Sequence, residues 1–225
     1  MAQTCLVTGA NRGIGLELTR QLAARGDTVV GTARDPEAAA ELRGLGARVE
    51  ELDLASGKSV EALARRLKGL PIDRLVHNAA IGVAGPAAAE VDPEDLETHL
   101  RVNAIGPFRL TRALLPNLRA GQGRLVVAIS SGLGSIAENT TGGWVAYRAS
   151  KTALHQLMRT FAAELSPESI VFILLSPGWV RTGMGGQDAP LSPEQSVRSM
   201  LKVVDRVGPK DSGAFFNERG RRIPW

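Results

Sequence analysis

Thr4-Cys5-Leu6-Val7-Thr8-Gly9-Ala10-Asn11-Arg12-Gly13-Ile14-Gly15 is a short apolar strand running into a glycine-rich turn, and Ile14–Ala24 then carries the apolar spacing of a helix. Glycine permits positive φ and close approach of another backbone or a ligand. The helix start adds free N–H groups and a partial positive charge. Together they form a seat for phosphate. The spacing T-G-x-x-x-G-x-G is one residue wider than the G-x-G-x-x-G fingerprint. Alone it would fit a plain tight turn; its place between the first strand and first helix favours the phosphate seat.

The same unit recurs down the chain. Strands are expected at Thr4–Val7, Thr28–Thr32, Arg48–Leu52, Arg74–His77, Arg124–Ile129, Ser169–Leu175 and Gly213–Phe216. Helices are expected at Ile14–Ala24, Glu37–Leu42, Ser59–Leu67, Pro93–Leu114, Trp144–Leu165 and Pro193–Val204. Alternating β and α units imply a doubly wound α/β fold: a parallel sheet of about seven strands with helices on both faces. Runs such as Val171-Phe172-Ile173-Leu174-Leu175 suit strands buried on both faces. No linker or repeat interrupts the pattern, so residues 1–225 are expected to be one domain. The long loops Ser130–Gly143 and Ser176–Ser192 follow strand C-termini, where ligands bind in such sheets.

Composition narrows the functional classes. A single cysteine, Cys5, excludes an internal disulfide and a thiolate-built zinc site. The net charge of +4 is scattered, with no basic run of five, so nucleic-acid binding is not suggested. No stretch of eighteen apolar residues occurs, and the opening Met1-Ala2-Gln3-Thr4 has no basic leader region. A soluble cytoplasmic protein with no membrane partner is expected. His77, His99 and His155 lack metal-ligand spacing, and His77 reads as packing; Cys5 reads as a small core hydrophobe.

At the second strand's end, an acidic residue would hold the ribose hydroxyls of NAD. Here Ala33 takes that place and Arg34 follows, with Arg12 in the glycine turn. Two guanidinium groups suit a 2′-phosphate, which favours NADP(H) and leaves NAD(H) open. The alternative is two solvated surface arginines; Asp35 stands one place late and could compete. Asp53 is a candidate for the adenine amino group, or else a helix cap. Asn78-Ala79-Ala80 offers small residues beside the cofactor, or simple sheet-to-loop packing.

Tyr147 and Lys151 stand four residues apart, on one face of a helix. A neighbouring ammonium stabilises phenolate, so the tyrosine pKa is expected to fall below its usual value of about 10. Such a phenol can give a proton to a carbonyl oxygen or take one from an alcohol. Ser131, upstream in Ile129-Ser130-Ser131-Gly132-Leu133-Gly134, can steady the substrate oxygen.

Taken in order, Thr8–Gly15, Asp53, Asn78-Ala79-Ala80, Asn103, Ser131, Tyr147/Lys151 and Pro177-Gly178-Trp179-Val180-Arg181-Thr182 resemble the short-chain dehydrogenase/reductase superfamily in its single-domain form, over essentially the whole chain. The loop Gly134–Trp144 and the ending Ile223-Pro224-Trp225 look like the C-factor and sniffer-like carbonyl reductases. The resemblance implies a Rossmann-type fold and hydride transfer between a nicotinamide and a carbonyl carbon. It implies Tyr147 as general acid/base, Lys151 as its tuner and ribose holder, Ser131 as carbonyl positioner and Asn103 as holder of a relay water. It also implies cofactor contacts at Gly9, Asn11, Arg12, Gly13, Ile14, Gly15, Arg34, Asp53, Asn78, Ala79, Pro177, Gly178, Val180 and Thr182, with no metal. Ser131 and Tyr147 are sixteen apart rather than the family's thirteen or so, because Ser135–Gly143 is long. Ser130 and Ser135 are therefore alternatives to Ser131.

Pro107 has no N–H, so the carbonyl of Asn103 loses its helix donor and is expected to take a water; the alternative is a simple kink. Trp144 and Trp179 flank the site, to line it or to cover apolar surface. Gly183–Ser192 reads as a short lid. An NADP(H)-dependent carbonyl reductase or alcohol dehydrogenase with a small-molecule substrate is the leading expectation. A nucleotide-binding signalling protein on the same scaffold is the alternative. A nucleotide-sugar epimerase is disfavoured for want of a second substrate domain. The helices Pro93–Leu114 and Trp144–Leu165 are expected to pair across a two-fold axis, giving a homodimer or homotetramer.

Overall fold

The computed structural model describes residues 2–82 and 85–225. The strands are β1 Thr4–Val7, β2 Thr28–Ala33, β3 Arg48–Glu51, β4 Arg74–His77, β5 Leu125–Ile129, β6 Val171–Ser176 and β7 Ala214–Asn217. They form one sheet in the order β3-β2-β1-β4-β5-β6-β7, and all neighbours are parallel. The order reverses between β1 and β4, and the crevice at that reversal is where such sheets take ligands.

The helices are α1 Gly13–Ala24, α2 Ala40–Gly44, α3 Gly57–Arg66, α4 Pro93–Leu100, α5 Gly106–Ala113, α6 Leu115–Ala120, α7 Val145–Glu164 and α8 Pro193–Val204. Side chains alternate across a strand, and β5 and nearly all of β6 are apolar on both faces, so the sheet feeds two cores. Cys5, Val7, Val127, Ile129, Ile173 and Leu175 pack on one face with α1 and α8. Leu6, Val126, Ala128, Phe172 and Leu174 pack on the other with α3, α5, α6 and α7. Truncating a fully buried residue such as Leu63 or Leu110 to alanine removes about 2–5 kcal/mol.

Caps set several helix starts. Ser192 and Gln195 form a reciprocal capping box before Pro193 of α8. The Asp92 carboxylate accepts from Glu94 N at α4. Two expected helices are corrected. The segment Glu37–Leu42 becomes helical only from Ala40, because Asp35 Oδ1 accepts from Glu37 N and Ala38 N (2.9 and 3.2 Å) and holds a turn there. The expected run Pro93–Leu114 is interrupted at Arg101–Ile105 by a π-helical turn, where Gly106 N donates to the Arg101 carbonyl. Pro107 cannot donate to Asn103, and the chain widens in the turn just before it.

Candidate active site

The glycine turn follows β1 at the switch point. Gly9 has φ +63°, and a Cβ there would lie 2.9 Å from Ala79 Cα, so Ala79 packs directly on the turn. At Gly15 a Cβ would lie 2.2 Å from the Gly9 carbonyl oxygen and 2.5 Å from Asn78 Nδ2. Asn78 explains the fit: its Nδ2 donates to Thr8 O and Gly9 O at 2.9 and 3.0 Å. Thr8 Oγ1 accepts from Asn78 N and Ala79 N, both at 3.0 Å. Gly13 faces Thr182, with Thr182 Cγ2 3.5 Å from where its Cβ would stand. Ile14 packs against the first core, while Asn11 and Arg12 are exposed.

The start of α1 has no side-chain cap and no acidic residue in its first turn, so its N–H groups remain available to an anion. Ala10 N donates to Thr32 O at 2.8 Å, which brings the turn against the end of β2. Arg12 and Arg34 thus flank one corner, both exposed and, among the described residues, without a carboxylate partner. Asp35 has one oxygen engaged by its own turn. These features fit a phosphorylated dinucleotide. Asp53 is half-buried, and its Oδ1 accepts from Ala55 N at 2.9 Å; Ser56, not Asp53, caps α3.

The chemical end lies beyond β4, β5 and β6. Tyr147, Ser150 and Lys151 are buried on α7. Lys151 Nζ donates to the Ile129 carbonyl at 2.9 Å and lies 5.7 Å from the Tyr147 ring centroid. Burial pushes the Tyr147 phenol up to about 12, and hydrogen bonding by the Ser131 hydroxyl pulls the other way. The expected downward shift is thereby corrected: removal from water outweighs the Ser131 hydrogen bond. Burial also pulls Lys151 down to about 8. Trp144, at φ +53°, presents its indole edge-on to Tyr147, with centroids 5.8 Å apart.

Of the three serines, Ser131 is the one that bears on the phenol. Ser130 Oγ bonds His155 Nε2 at 2.6 Å, and Ser135 Oγ donates to Pro224 O at 2.7 Å. Asn103 is buried. Its Oδ1 accepts from Ile81 N at 2.9 Å, and its Nδ2 donates to Ile81 O and Ser150 Oγ at 2.8 and 3.0 Å. Ser150 Oγ donates in turn to Tyr147 O at 2.8 Å. Asn103 therefore ties the segment after β4 to the helix bearing Tyr147.

After β6, Pro177 and Val180 are buried, whereas Gly178 and Trp179 are exposed. Pro177 O accepts from Ser196 Oγ at 2.7 Å, and Val180 pairs with Leu191. Thr182 Oγ1 accepts from Gly185 N at 3.1 Å, and Trp179 Nε1 donates to Gly185 O at 2.7 Å. The sequence did not single out Gly82, and Met184 entered only as part of the short lid Gly183–Ser192. A Cβ at Gly82 would stand 2.7 Å from the Tyr147 ring and 3.2 Å from Met184 Sδ, so both border the phenol. The small residues after Asn78 were the only signal for Gly82.

Comparison with known proteins adds to this geometry. A family model described as short chain dehydrogenase matches residues 3–190. The C-signal of Myxococcus xanthus is 46% identical over 155 residues, covering 69% of this chain and 93% of that protein. The solved carbonyl reductase Sniffer of D. melanogaster superposes with a TM-score of 0.93 at 32% identity, covering 100% of both chains. The NADPH-bound carbonyl reductase from chicken fatty liver gives a TM-score of 0.93 at 33% identity, covering 100% of this chain and 99% of that one.

Proposed function

Since the chain belongs to the short-chain dehydrogenase family, we propose that it is an NADP(H)-preferring oxidoreductase that interconverts a small carbonyl compound and its alcohol. The observation that carries this is the convergence of Ser131, Tyr147 and Lys151 at the strand ends, beside a glycine turn whose helix start is left open to an anion.

The cofactor, when bound, supplies or accepts the hydride at the carbonyl carbon. Gly9, Asn11, Gly13, Ile14 and Gly15 approach its phosphates through backbone, and Arg12 and Arg34 hold the 2′-phosphate. Asp53, Asn78 and Ala79 border its adenosine and ribose side; Pro177, Gly178, Val180 and Thr182 border its nicotinamide. The chicken enzyme's bound NADPH supports this choice.

Tyr147 is the proton donor in reduction. A phenol held near 12 is fully protonated at neutral pH, the form a general acid needs. Ser131 donates a hydrogen bond to the carbonyl oxygen and so orients it toward the phenol. Lys151 places its charge beside the phenol and stabilises the phenolate left after transfer. Asn103 fixes the segment that flanks the substrate, and its backbone carbonyl, to which Pro107 cannot donate, would hold a relay water. Dimers or tetramers paired through α4, α5 and α7 complete the proposal; light scattering reads the mass.

The test is NADPH oxidation with a panel of aldehydes and ketones. Tyr147→Phe is expected to lower kcat by about 10²-fold or more while NADPH binding is retained. Full activity in Tyr147→Phe would overturn the assignment. The similarity to C-signal favours a second reading, a signalling protein on the same scaffold. Tight NADPH binding with no turnover on any panel member would support it.

A further inference from the structure

The end of β5 meets α7 through three consecutive residues. The Ile129 carbonyl takes the Lys151 ammonium at 2.9 Å. Ser131 bears on the Tyr147 phenol. Between them, Ser130 Oγ is bonded at 2.6 Å by His155 Nε2, in a fully buried pair. Tyr147, Lys151 and His155 follow one another at four-residue spacing, so they occupy successive turns on one face of α7. The first two touch the reacting groups in the proposed mechanism. His155 has no part in it.

The imidazole is tightly seated. Its ring lies 4.5 Å from Phe215 and 5.5 Å from Trp225, centroid to centroid. Arg159 covers the outer side of Trp225 at 5.7 Å. The segment around Trp225 is itself bound to the loop beyond Ser131: Ala137 N donates to Trp225 O at 2.9 Å and Ser135 Oγ to Pro224 O at 2.7 Å. Gly134 lies flat on the same surface, where a Cβ would stand 2.7 Å from His155 Cε1 and 2.9 Å from Lys151 Cβ. The other ring nitrogen, Nδ1, is buried without a partner among the described residues. Among the described residues the only polar bond of the ring is therefore the one to Ser130, and packing on three sides fixes its direction.

We propose that His155 is a positioning residue of the active site: wedged between Phe215, Trp225 and Gly134, it fixes Ser130 and thereby sets Ser131 against Tyr147 and the Ile129 carbonyl against Lys151. This rests on the oxidoreductase reading given above. Its chemistry is that of a neutral imidazole, whichever nitrogen carries the proton. The device links the segment 223–225 to the catalytic serine, because the aromatic seat and the loop anchor share Trp225.

Three variants test it. H155F keeps a ring in the seat and removes the nitrogens; H155Q returns a polar group at similar reach; S130A removes the same bond from the other partner. The chain has one tyrosine, so carbon-13 at the tyrosine Cζ gives one resonance, which reports on the Tyr147 phenol in the protein as purified. S131A gives the reference position for a phenol without its serine. H155F and S130A are expected to move the resonance toward that position, and H155Q to move it back. In turnover, H155F is expected to lower kcat roughly tenfold with the NADPH KM within about twofold, as fits displaced reacting groups rather than lost binding. An unmoved resonance in folded H155F and S130A overturns the proposal whatever turnover does. Should H155F fail to fold, S130A decides alone. Absence of turnover in the wild-type protein counts against the oxidoreductase reading only, since the resonance is read in either case.

Discussion

His77 supplies a prediction whose size follows from its surroundings. It stands at the end of β4, fully enclosed, with Nε2 bonded to Thr111 Oγ1 at 2.8 Å and Nδ1 without a partner among the described residues. Burial, reinforced by the nearby Lys151 charge, drives its pKa from an ordinary 6.5 down to about 3. Below pH 6.5 the unfolded chain takes up a proton that the folded chain refuses, so this histidine contributes stability at neutral pH that is lost as pH falls from 6.5 toward 3. Between pH 7 and pH 4 the loss amounts to about 3 kcal/mol, at about 1.4 kcal/mol per tenfold. That is a large share of the roughly 5–15 kcal/mol that holds a domain together. The perturbation is His77→Gln, which keeps a polar end for Thr111 and has no titration in this range. Urea unfolding of both proteins at pH 7 and pH 4 gives the two differences. The wild-type protein is expected to lose about 3 kcal/mol more than the variant, because carboxylates and His155 contribute equally to both. Equal losses would refute the reasoning, and would mean that the folded protein admits the proton at His77 after all.

Three further outcomes are expected. Gly15→Ala pushes a methyl group to 2.2 Å from the Gly9 carbonyl and so spreads the turn; NADPH binding, followed by fluorescence titration, should fall sharply, with about 1–3 kcal/mol of stability lost as well. Arg34→Asp should raise the NADPH KM by about tenfold or more while leaving NADH little changed, and an unchanged preference would place the 2′-phosphate elsewhere. Asn117→Ala leaves the buried Leu67 O and the part-buried Leu70 O without the Nδ2 that now bonds them at 2.6 and 2.8 Å; a cost of about 2 kcal/mol should appear as a fall of roughly 4–8 °C in the thermal midpoint.

The strands were the most legible part of the sequence. Leu125–Ile129 and Val171–Ser176 fall within a residue or two of the apolar runs that marked them, because an enclosed strand must be apolar at nearly every position. Helices were less legible where side chains compete with the backbone, as at Asp35, or where proline removes a donor, as at Pro107. Helix α6, Leu115–Ala120, was not foreseen, since six residues hold too little periodicity to register. In the site, glycine spacing and Y-x-x-x-K were visible because each motif is local in sequence. Ser131 was the serine that the family pattern favoured, but what engages its alternatives Ser130 and Ser135 was not visible, because His155 and Pro224 are remote in sequence. The sign of the Tyr147 shift was misjudged for a similar reason: spacing reveals a charged neighbour but not how far water is excluded.

The strand order also has a bearing on biosynthesis. Of the seven strands β1 emerges first and becomes an interior strand of the sheet. β2 and β3 extend one side in turn; β4 joins the bare flank of β1; β5, β6 and β7 then follow, each beside its immediate predecessor. No strand has to be inserted between two that are already paired. A nascent chain can therefore assemble this sheet entirely by addition at an open margin, in the order of translation, with its hydrogen-bonding partner already made each time.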